Sequence, residues 1–243
     1  FSTYYGHRKK NIMTKKDLLN KSDIRSAVGI LFFEKLNQTI ECIQSFLPSG
    51  ANIYILNNGS SLASRESLGR FCEPYKQIKI FDSNVNLGVS GGRNYLISNT
   101  AEEWILFVDN DVSMKTNNWL DKFIKHASLN RDIEVFVPRM FVVHNNTYAV
   151  FCSYKIADKV AFPDQIIIDD LTNVFPGGAS FINHKLFKRL GLYDEKIFIA
   201  HEDTELCLRG ILAGNPVKAK IIYDIELAHD HRPATKRVDR DAA

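Results

Sequence analysis

Apolar runs and amphipathic stretches alternate along the first half of the chain. Residues 28–33 and 53–56 are continuous apolar runs, and residues 37–46 between them carry apolar side chains at helical spacing. Short apolar runs indicate buried strands, whereas apolar residues three or four apart indicate an amphipathic helix. The alternation continues with a predicted helix, strand, helix and strand at residues 62–71, 78–81, 91–98 and 104–108.

The second half has longer β-branched and aromatic runs and longer loops. It predicts strands within 134–143, 148–156 and 218–227, a loop at 175–178, and helices at 185–190 and 204–212. Alternating strands and helices predict a doubly wound, mostly parallel α/β sheet, whose ligands bind beyond the carboxyl ends of the strands. We expect one domain over residues 25–243.

Composition and charge narrow the class of protein. The chain has 243 residues, 45% hydrophobic and 24% charged, which is typical of a globular protein. No apolar stretch is long enough to cross a bilayer. Because the chain opens with Phe1 rather than methionine, we expect a piece of a longer protein.

The formal net charge of +3 is unevenly distributed, since residues 1–21 carry +5 and the remainder −2. The body is therefore not predicted to bind nucleic acid. Residues 1–24 are interpreted as a solvated basic tail, with peripheral contact to an anionic membrane surface as the alternative.

The cysteines exclude two further classes. Cys42, Cys72, Cys152 and Cys207 are widely spaced and form no C-x-x-C pair. Neither a zinc ribbon nor a disulfide framework is indicated, and a reducing cytoplasmic location is expected.

The clearest chemical motif is Asp109-Asn110-Asp111, directly after the apolar strand at 104–108. If the chain stays extended, alternation places the two carboxylates on one side. Two converging carboxylates favour a cation between them, and oxygen ligands suit Mg²⁺ or Mn²⁺ that also holds diphosphate oxygens. The alternative is a polar turn in which both aspartates bond backbone amides.

The glycine-rich segment 84–94 precedes that strand by one helix. Its glycines allow close backbone approach to a ligand or a tight turn. Ser90 is a candidate cap for the helix, and Arg93 is a candidate phosphate contact. A plain loop before a capped helix is the alternative interpretation.

Two late motifs add candidate acid–base and metal chemistry. Glu202-Asp203 begins a predicted helix, and either carboxylate is a candidate base for an acceptor hydroxyl; alternatively Asp203 is only an N-cap. His229 and His231 follow the last strand, where an imidazole would complete a metal shell begun by Asp111.

Taken in order, these motifs resemble glycosyltransferase family 2, whose catalytic domain has the GT-A fold, over about residues 27–231. The matching segments are 33–35 with 39–45, 55–60, 84–94, Asp109-Asn110-Asp111, 177–180, 192–195 and Glu202-Asp203. Two positions depart from the family pattern. Asn57 stands where aspartate is usual, and Glu34 where asparagine is common, so the donor nucleobase stays open.

The resemblance implies a role for each matching position. Asp111 would bind the metal with His229 or His231, and Asp109 would contact the ribose, or the metal through water. Asp203 is favoured over Glu202 as the base. Gly177, Gly178 and Ala179 would line the bottom of the acceptor side. The other implied donor contacts are Phe33, Glu34, Asn57, Asn58, Arg93 and Asn110.

The function that follows is inverting transfer of a sugar from a UDP-, dTDP- or GDP-linked donor to a saccharide or lipid-linked saccharide, with Mn²⁺ or Mg²⁺ as cofactor. A sugar-1-phosphate nucleotidyltransferase is an alternative, although it needs a glycine-rich basic loop where residues 32–35 read Phe-Phe-Glu-Lys. A non-catalytic nucleotide-sugar-binding module is another. A dinucleotide dehydrogenase is disfavoured because no G-x-G-x-x-G follows a predicted strand.

Overall fold

The first half of the protein alternates strands and helices in the predicted order. The computed structural model describes residues 24–149, 153–157, 160–164 and 170–231. The first seven elements are β1 (Ser26–Phe32), α1 (Leu36–Phe46), β2 (Ile53–Asn58), α2 (Leu62–Cys72), β3 (Ile78–Ser83), α3 (Gly88–Asn99) and β4 (Trp104–Val108). The predicted strand and helix types are confirmed for all of them.

The second half contains elements that the pattern did not predict. Its elements are β5 (Val112–Met114), α4 (Trp119–Leu129), β6 (Val135–Val142), β7 (Thr147–Tyr148), β8 (Ser153–Ala157), β9 (Val160–Asp164), β10 (Leu171–Thr172), β11 (Ala179–Asn183), α5 (His184–Leu190), α6 (Glu202–Leu212) and β12 (Ala219–His229). Helix α4 was missed although Phe123 and Ala127 are buried one helical turn apart. The predicted run at 148–156 is divided between β7 and β8.

One large sheet organises the molecule. Its strand order is β10-β12-β6-β11-β4-β1-β2-β3, with β5 added to β12 and β7 to β6. Strands β3, β2, β1 and β4 are parallel. Strand β11 runs antiparallel to both β4 and β6, so the sheet is mixed at its centre. Strands β8 and β9 form a separate antiparallel pair.

Helices cover both faces of the sheet. One core cluster includes side chains of α1, α2 and α4, such as Phe46, Leu68 and Phe123. The second includes side chains of α3, α5 and α6, such as Leu96 and Leu206. Burial of both faces explains why the interior strands β1 and β4 are almost continuously apolar, whereas β3 at the edge of the sheet carries the exposed Lys79.

The sheet brings the polar motifs to one edge. In the parallel register Phe32 lies beside Asn57, and Asn57 lies beside Asp82, so the carboxyl ends of β1, β2 and β3 are level. Strand β4 ends at the same edge, where Asp109 begins. Ligands of open α/β sheets bind at this edge.

No helix in the described part of the chain is long and apolar enough to cross a membrane. Cys42, Cys72 and Cys207 are buried free thiols, and Cys152 lies outside the described residues. Burial raises the pKa of Cys72 to about 11 and that of Cys207 to about 12. Of the predicted tail at residues 1–24, residues 1–23 lie outside the described residues; Ile24 is buried in the core and so does not belong to a solvated tail.

Candidate active site

A cavity of about 520 Å³ lies at the carboxyl ends of β1, β2 and β4. Its volume is within the roughly 300–1,000 Å³ usual for ligand pockets. The predicted donor-binding residues that line it are Phe33, Asn58, Arg93, Asp109 and Asn110. The predicted metal and catalytic residues that line it are Asp109, Asp111, Glu202, His229 and His231. Motifs from both halves of the sequence therefore meet in one cavity.

The chain turns immediately after β4, which corrects the expectation of an extended chain through Asp111. The amide of Val112 donates to the carbonyl of Asp109, at 3.0 Å. Asp109 and Asp111 both face the cavity, but they lie in different environments. Asp109 is half-exposed beside Arg93, whereas the side chain of Asp111 is only 6% exposed.

The two late histidines meet Asp111 through strand pairing. Strand β5 pairs antiparallel with β12, placing Val112 opposite His229, and the amide of Asp230 donates to the carbonyl of Asp111 at 3.0 Å. His229 Nε2 lies 3.2 Å from Asp111 Oδ1, and His231 Nδ1 lies 3.6 Å from Asp111 Oδ2. The three ligand atoms lie within 4.8 Å of one another. This group excludes Asp109.

A carboxylate and two imidazoles are a suitable donor set for a divalent cation. Imidazole nitrogen is a better ligand for Mn²⁺ than for Mg²⁺, which prefers oxygen ligands. Burial raises the pKa of Asp111, but the hydrogen bond from His229 and the nearby charge of Lys35 outweigh burial and lower it overall. The hydrogen bond to Asp111 raises the pKa of His229 against the opposing effect of burial. Asp111 is thus held as the anion that a metal requires.

Arg93 forms the second charged centre of the cavity. It lies on the buried side of α3, and its guanidinium is 2.6 Å from Glu202 Oε1 and 3.4 Å from Asp109 Oδ1. The rings of Phe107 and Tyr193 lie beside it. Burying a charge without a partner is costly, so the two carboxylates fix Arg93 in place. Glu202 Oε2 is buried and has no hydrogen-bond partner among the described residues.

Asp203 lies near this charged centre, against the loop that precedes β11. Its Oδ2 accepts from the amide of Gly177 at 2.8 Å, and its Oδ1 accepts from the amide of Thr204 at 2.6 Å. The N-cap interpretation of Asp203 is wrong, because α6 begins at Glu202 and His201 occupies the capping position. The half-buried carboxylate is instead oriented by backbone amides at the predicted acceptor side.

The glycines of that loop are required by close approach. A Cβ on Gly177 would lie 2.2 Å from Arg93 Nη1, and a Cβ on Gly178 would lie 2.3 Å from Asp109 Oδ2. Ala179 is buried in β11, and its side chain packs into the core. The backbone of residues 177 and 178, rather than any side chain there, therefore faces the charged centre.

Several predicted donor contacts form structural hydrogen bonds, including Asn110, whose side-chain amide donates to Thr39 Oγ1 at 3.0 Å. Asn57 donates to Asp82 Oδ1 at 3.0 Å and accepts from the amide of Ser60 at 3.1 Å. Asn58 lines the cavity, but its amide group bonds Asn86, Leu87 and Gly88. The carboxylate of Glu34 bonds the start of α2 instead of entering the cavity. A sequence pattern does not specify such side-chain partners.

Other contributions were not predicted. Ser90 lies inside α3 and donates to the carbonyl of Ile197, so it does not cap that helix. Phe198, 50% exposed, contributes to an apolar wall of the cavity with Ile199. A Cβ on Gly88, whose φ is +70°, would lie 2.4 Å from the carbonyl oxygen of Phe198. Lys35 also lines the cavity, and its only sequence signal was its place in the matched segment 33–35.

A mixed sheet with a cavity at its strand ends and a D-N-D turn is characteristic of the GT-A class of glycosyltransferases, and this protein has all three features. The sequence profile of the family described as "Glycosyl transferase family 2" matches residues 28–191. The chain belongs to that family and is a glycosyltransferase.

The chain is similar to one curated protein and to several solved structures. It is 22% identical over 218 residues to the "dTDP-rhamnosyl transferase RfbF" of Shigella flexneri, covering 84% of this chain and 68% of that protein. GalNAc-T7 with UDP, GalNAc and Mn²⁺ matches with a TM-score of 0.68 and 18% identity, covering 86% of this chain. The mannosyltransferase PcManGT of Pyrobaculum calidifontis with GDP-Man and Mn²⁺ matches with a TM-score of 0.62 and 11% identity, covering 87% of this chain.

These structural similarities support the GT-A fold. The chain spans only 44% of the matched GalNAc-T7 chain and 58% of the PcManGT chain. The nucleotides, sugars and Mn²⁺ named for those structures are ligands of those proteins.

Proposed function

We propose that this protein transfers a sugar, with inversion, from a nucleotide diphosphate sugar to a hydroxyl group of a saccharide or lipid-linked saccharide. The observation that carries the proposal is the group of Asp111, His229 and His231, whose ligand atoms lie within 4.8 Å of one another in the wall of the cavity. We infer that they bind Mn²⁺. When bound, this cation would act as a Lewis acid toward the negative charge that develops on the departing diphosphate.

The reaction is a single displacement at the anomeric carbon. The acceptor oxygen forms a bond to that carbon while the bond to the diphosphate oxygen breaks, and the acceptor proton passes to Asp203. Asp203 fits this role because its carboxylate lies at Gly177, on the predicted acceptor side, and is half-buried. Glu202 fits less well because its buried carboxylate pairs with Arg93. Arg93 and Glu202 hold the junction between the donor and acceptor sides.

A dTDP-linked donor is the first to test. The Shigella relative is a dTDP-rhamnosyl transferase, whereas the matched structures contain UDP or GDP-Man. Asn57 bonds Asp82, whose carboxylate also pairs with Arg65 at 2.9 Å and does not line the cavity, so these residues do not select the nucleobase and the donor panel has to identify it. The basic tail at residues 1–21 would contact an anionic membrane that carries a lipid-linked acceptor.

The test is a panel of UDP-, dTDP- and GDP-sugars, each incubated with the protein, a mixture of saccharide acceptors and Mn²⁺. Release of the nucleoside diphosphate and the anomeric configuration of the product are measured. We expect release with one class of donor, inversion of configuration, and loss of activity in excess EDTA. Full activity in EDTA would refute the metal assignment, and a product with retained configuration would refute the single displacement.

A further inference from the structure

Lys35 is a cation of the cavity whose role the proposed function does not include. It lies between β1 and α1, lines the same cavity as Asp111, and places its Nζ 3.5 Å from Asp111 Oδ2. Its side chain is 32% exposed, so it is accessible to a ligand. We propose that Lys35 contacts the diphosphate of the donor directly and stabilises it as the leaving group. This inference rests on the proposed function, because it assumes a diphosphate in this cavity.

The first argument is electrostatic. Asp111 is the shared anion of Lys35, His229 and His231. A divalent cation held by Asp111 would therefore lie close to the ammonium group of Lys35, and two such cations repel each other strongly in a partly buried site. A ligand carrying several negative charges removes that repulsion by lying against both. A diphosphate meets this requirement, whereas a neutral sugar does not.

The second argument is the backbone conformation. Glu34 and Lys35 have φ values of 54° and 50°, in the left-handed region that residues other than glycine, asparagine and aspartate rarely adopt. Two such residues in succession are maintained only when the surroundings enforce them, and strain of this kind is common at ligand sites. The backbone therefore indicates that Lys35 is positioned for a ligand.

The surroundings that enforce this conformation are visible on both sides. The carboxylate of Glu34 accepts from the amide of Ser61 and from the hydroxyl of Ser64, each at 2.6 Å, at the start of α2. The carbonyl of Lys35 accepts from the amide and the hydroxyl of Thr39, in the first turn of α1. Glu34 is therefore a positioning residue, which explains why a residue in the matched motif faces away from the cavity.

The experiment measures binding of UDP, dTDP and GDP to the full chain by titration calorimetry, first in EDTA and then in Mn²⁺. Lys35→Met removes the charge and keeps an unbranched side chain, and Lys35→Asn removes the charge with a residue that tolerates the left-handed backbone. Lys35→Arg keeps the charge. Lys115→Met is the matched control, since Lys115 is an exposed lysine that follows β5 and does not line this cavity.

For the nucleotide that binds, we expect Lys35→Met and Lys35→Asn to weaken affinity about tenfold, in EDTA or, where wild type binds only with the metal, in Mn²⁺; this is the size of one charge-assisted contact that is partly exposed. The affinity of Lys35→Arg should stay within about threefold of the wild-type affinity. The affinity of Lys115→Met should equal that of wild type. The two neutral variants should also show a weaker dependence of affinity on salt. Thermal unfolding checks that each variant is folded.

Two results would contradict the inference in different ways. If wild type binds one diphosphate, in EDTA or only in Mn²⁺, and both neutral variants bind it equally well in that condition, Lys35 only neutralises Asp111, and the inference is wrong while the proposed function stands. If wild type binds none of the three diphosphates in either condition, the proposed function itself fails, and the inference fails with it.

Discussion

Replacement of Asp203 by asparagine separates the proposed catalytic role of this carboxylate from its structural one. In the wild type, its two oxygens each accept a backbone amide, from Gly177 and from Thr204. Asparagine has only one oxygen, so one of these amides loses its acceptor. A partly buried donor without a partner costs about 1–2 kcal/mol, and we expect the free energy of unfolding to fall by that amount.

The catalytic consequence should be much larger. If Asp203 takes the acceptor proton, its loss should lower the turnover number by about a hundred- to ten-thousandfold. Binding of the nucleoside diphosphate should be retained, because Asp203 does not line the donor cavity. The assay is release of nucleoside diphosphate at saturating donor and acceptor, combined with a denaturant titration of the same preparation.

The matched control is Glu205→Gln, in the same first turn of α6. Glu205 pairs with Arg209 on a partly exposed surface, and its replacement should change stability by less than about 1 kcal/mol and leave turnover unchanged. Near wild-type turnover of the Asp203→Asn protein would refute the assignment of the base. Equal losses in both variants would show that the first turn of α6, and not one carboxylate, is what matters.

Glu202→Gln should lower the free energy of unfolding by about 3 kcal/mol, the lower end for breaking a buried ion pair, because Asp109 still faces Arg93; denaturant titration with Glu205→Gln as control measures this. Gly177→Ala should destabilise the fold by about 1–3 kcal/mol by displacing the buried Arg93. Gly178→Ala should be less destabilising, because the half-exposed Asp109 can turn away, but it should weaken donor binding; equal stabilities of the two variants would contradict this reading. The hydrogen bond to Asp111 raises the pKa of His229 above its ordinary 6.5. Without metal, the His229–Asp111 pair should therefore contribute fully to the free energy of unfolding below pH 6.5, and this contribution should be lost as pH rises through the raised pKa. Metal affinity should change in the opposite direction and weaken as pH falls through that pKa, since the metal competes with the proton; calorimetry of Mn²⁺ binding to wild type and His229→Gln tests this.

Local periodicity predicted the parallel half of the fold because it reports directly on burial. Strands β1 and β4 and the first four residues of β2 form apolar runs, and α1 carries its buried side chains on one face. The D-N-D motif was visible for the same reason, since polar residues stop the buried run abruptly after Val108. The pattern does not show where a chain turns. The turn after Asp109 therefore separates two carboxylates that strand alternation would have kept together.

Side-chain partners were beyond the pattern for a different reason. Whether Glu34 enters the cavity or bonds α2 depends on the position of Ser61 and Ser64, which only the packing of α2 against α1 and the core decides. Likewise the pairing of β5 with β12 brings Asp111 to His229 across almost half of the chain. The sequence left open whether His229 or His231 joins Asp111, whereas the structure places both imidazoles near its carboxylate.

Burial divides the cations of the cavity into a fixed one and an adjustable one. Arg93 is 4% exposed and is held by Glu202 and Asp109, so a ligand cannot move it without leaving charges unpaired. Lys35 has a flexible stem, one long contact to Asp111 and direct access to the cavity. Electrostatic stabilisation of a transition state is most effective when charges are oriented in advance. In the proposed reaction, Arg93 therefore suits the junction between donor and acceptor, which must keep its shape, whereas Lys35 suits the diphosphate, whose charge and position change as it departs.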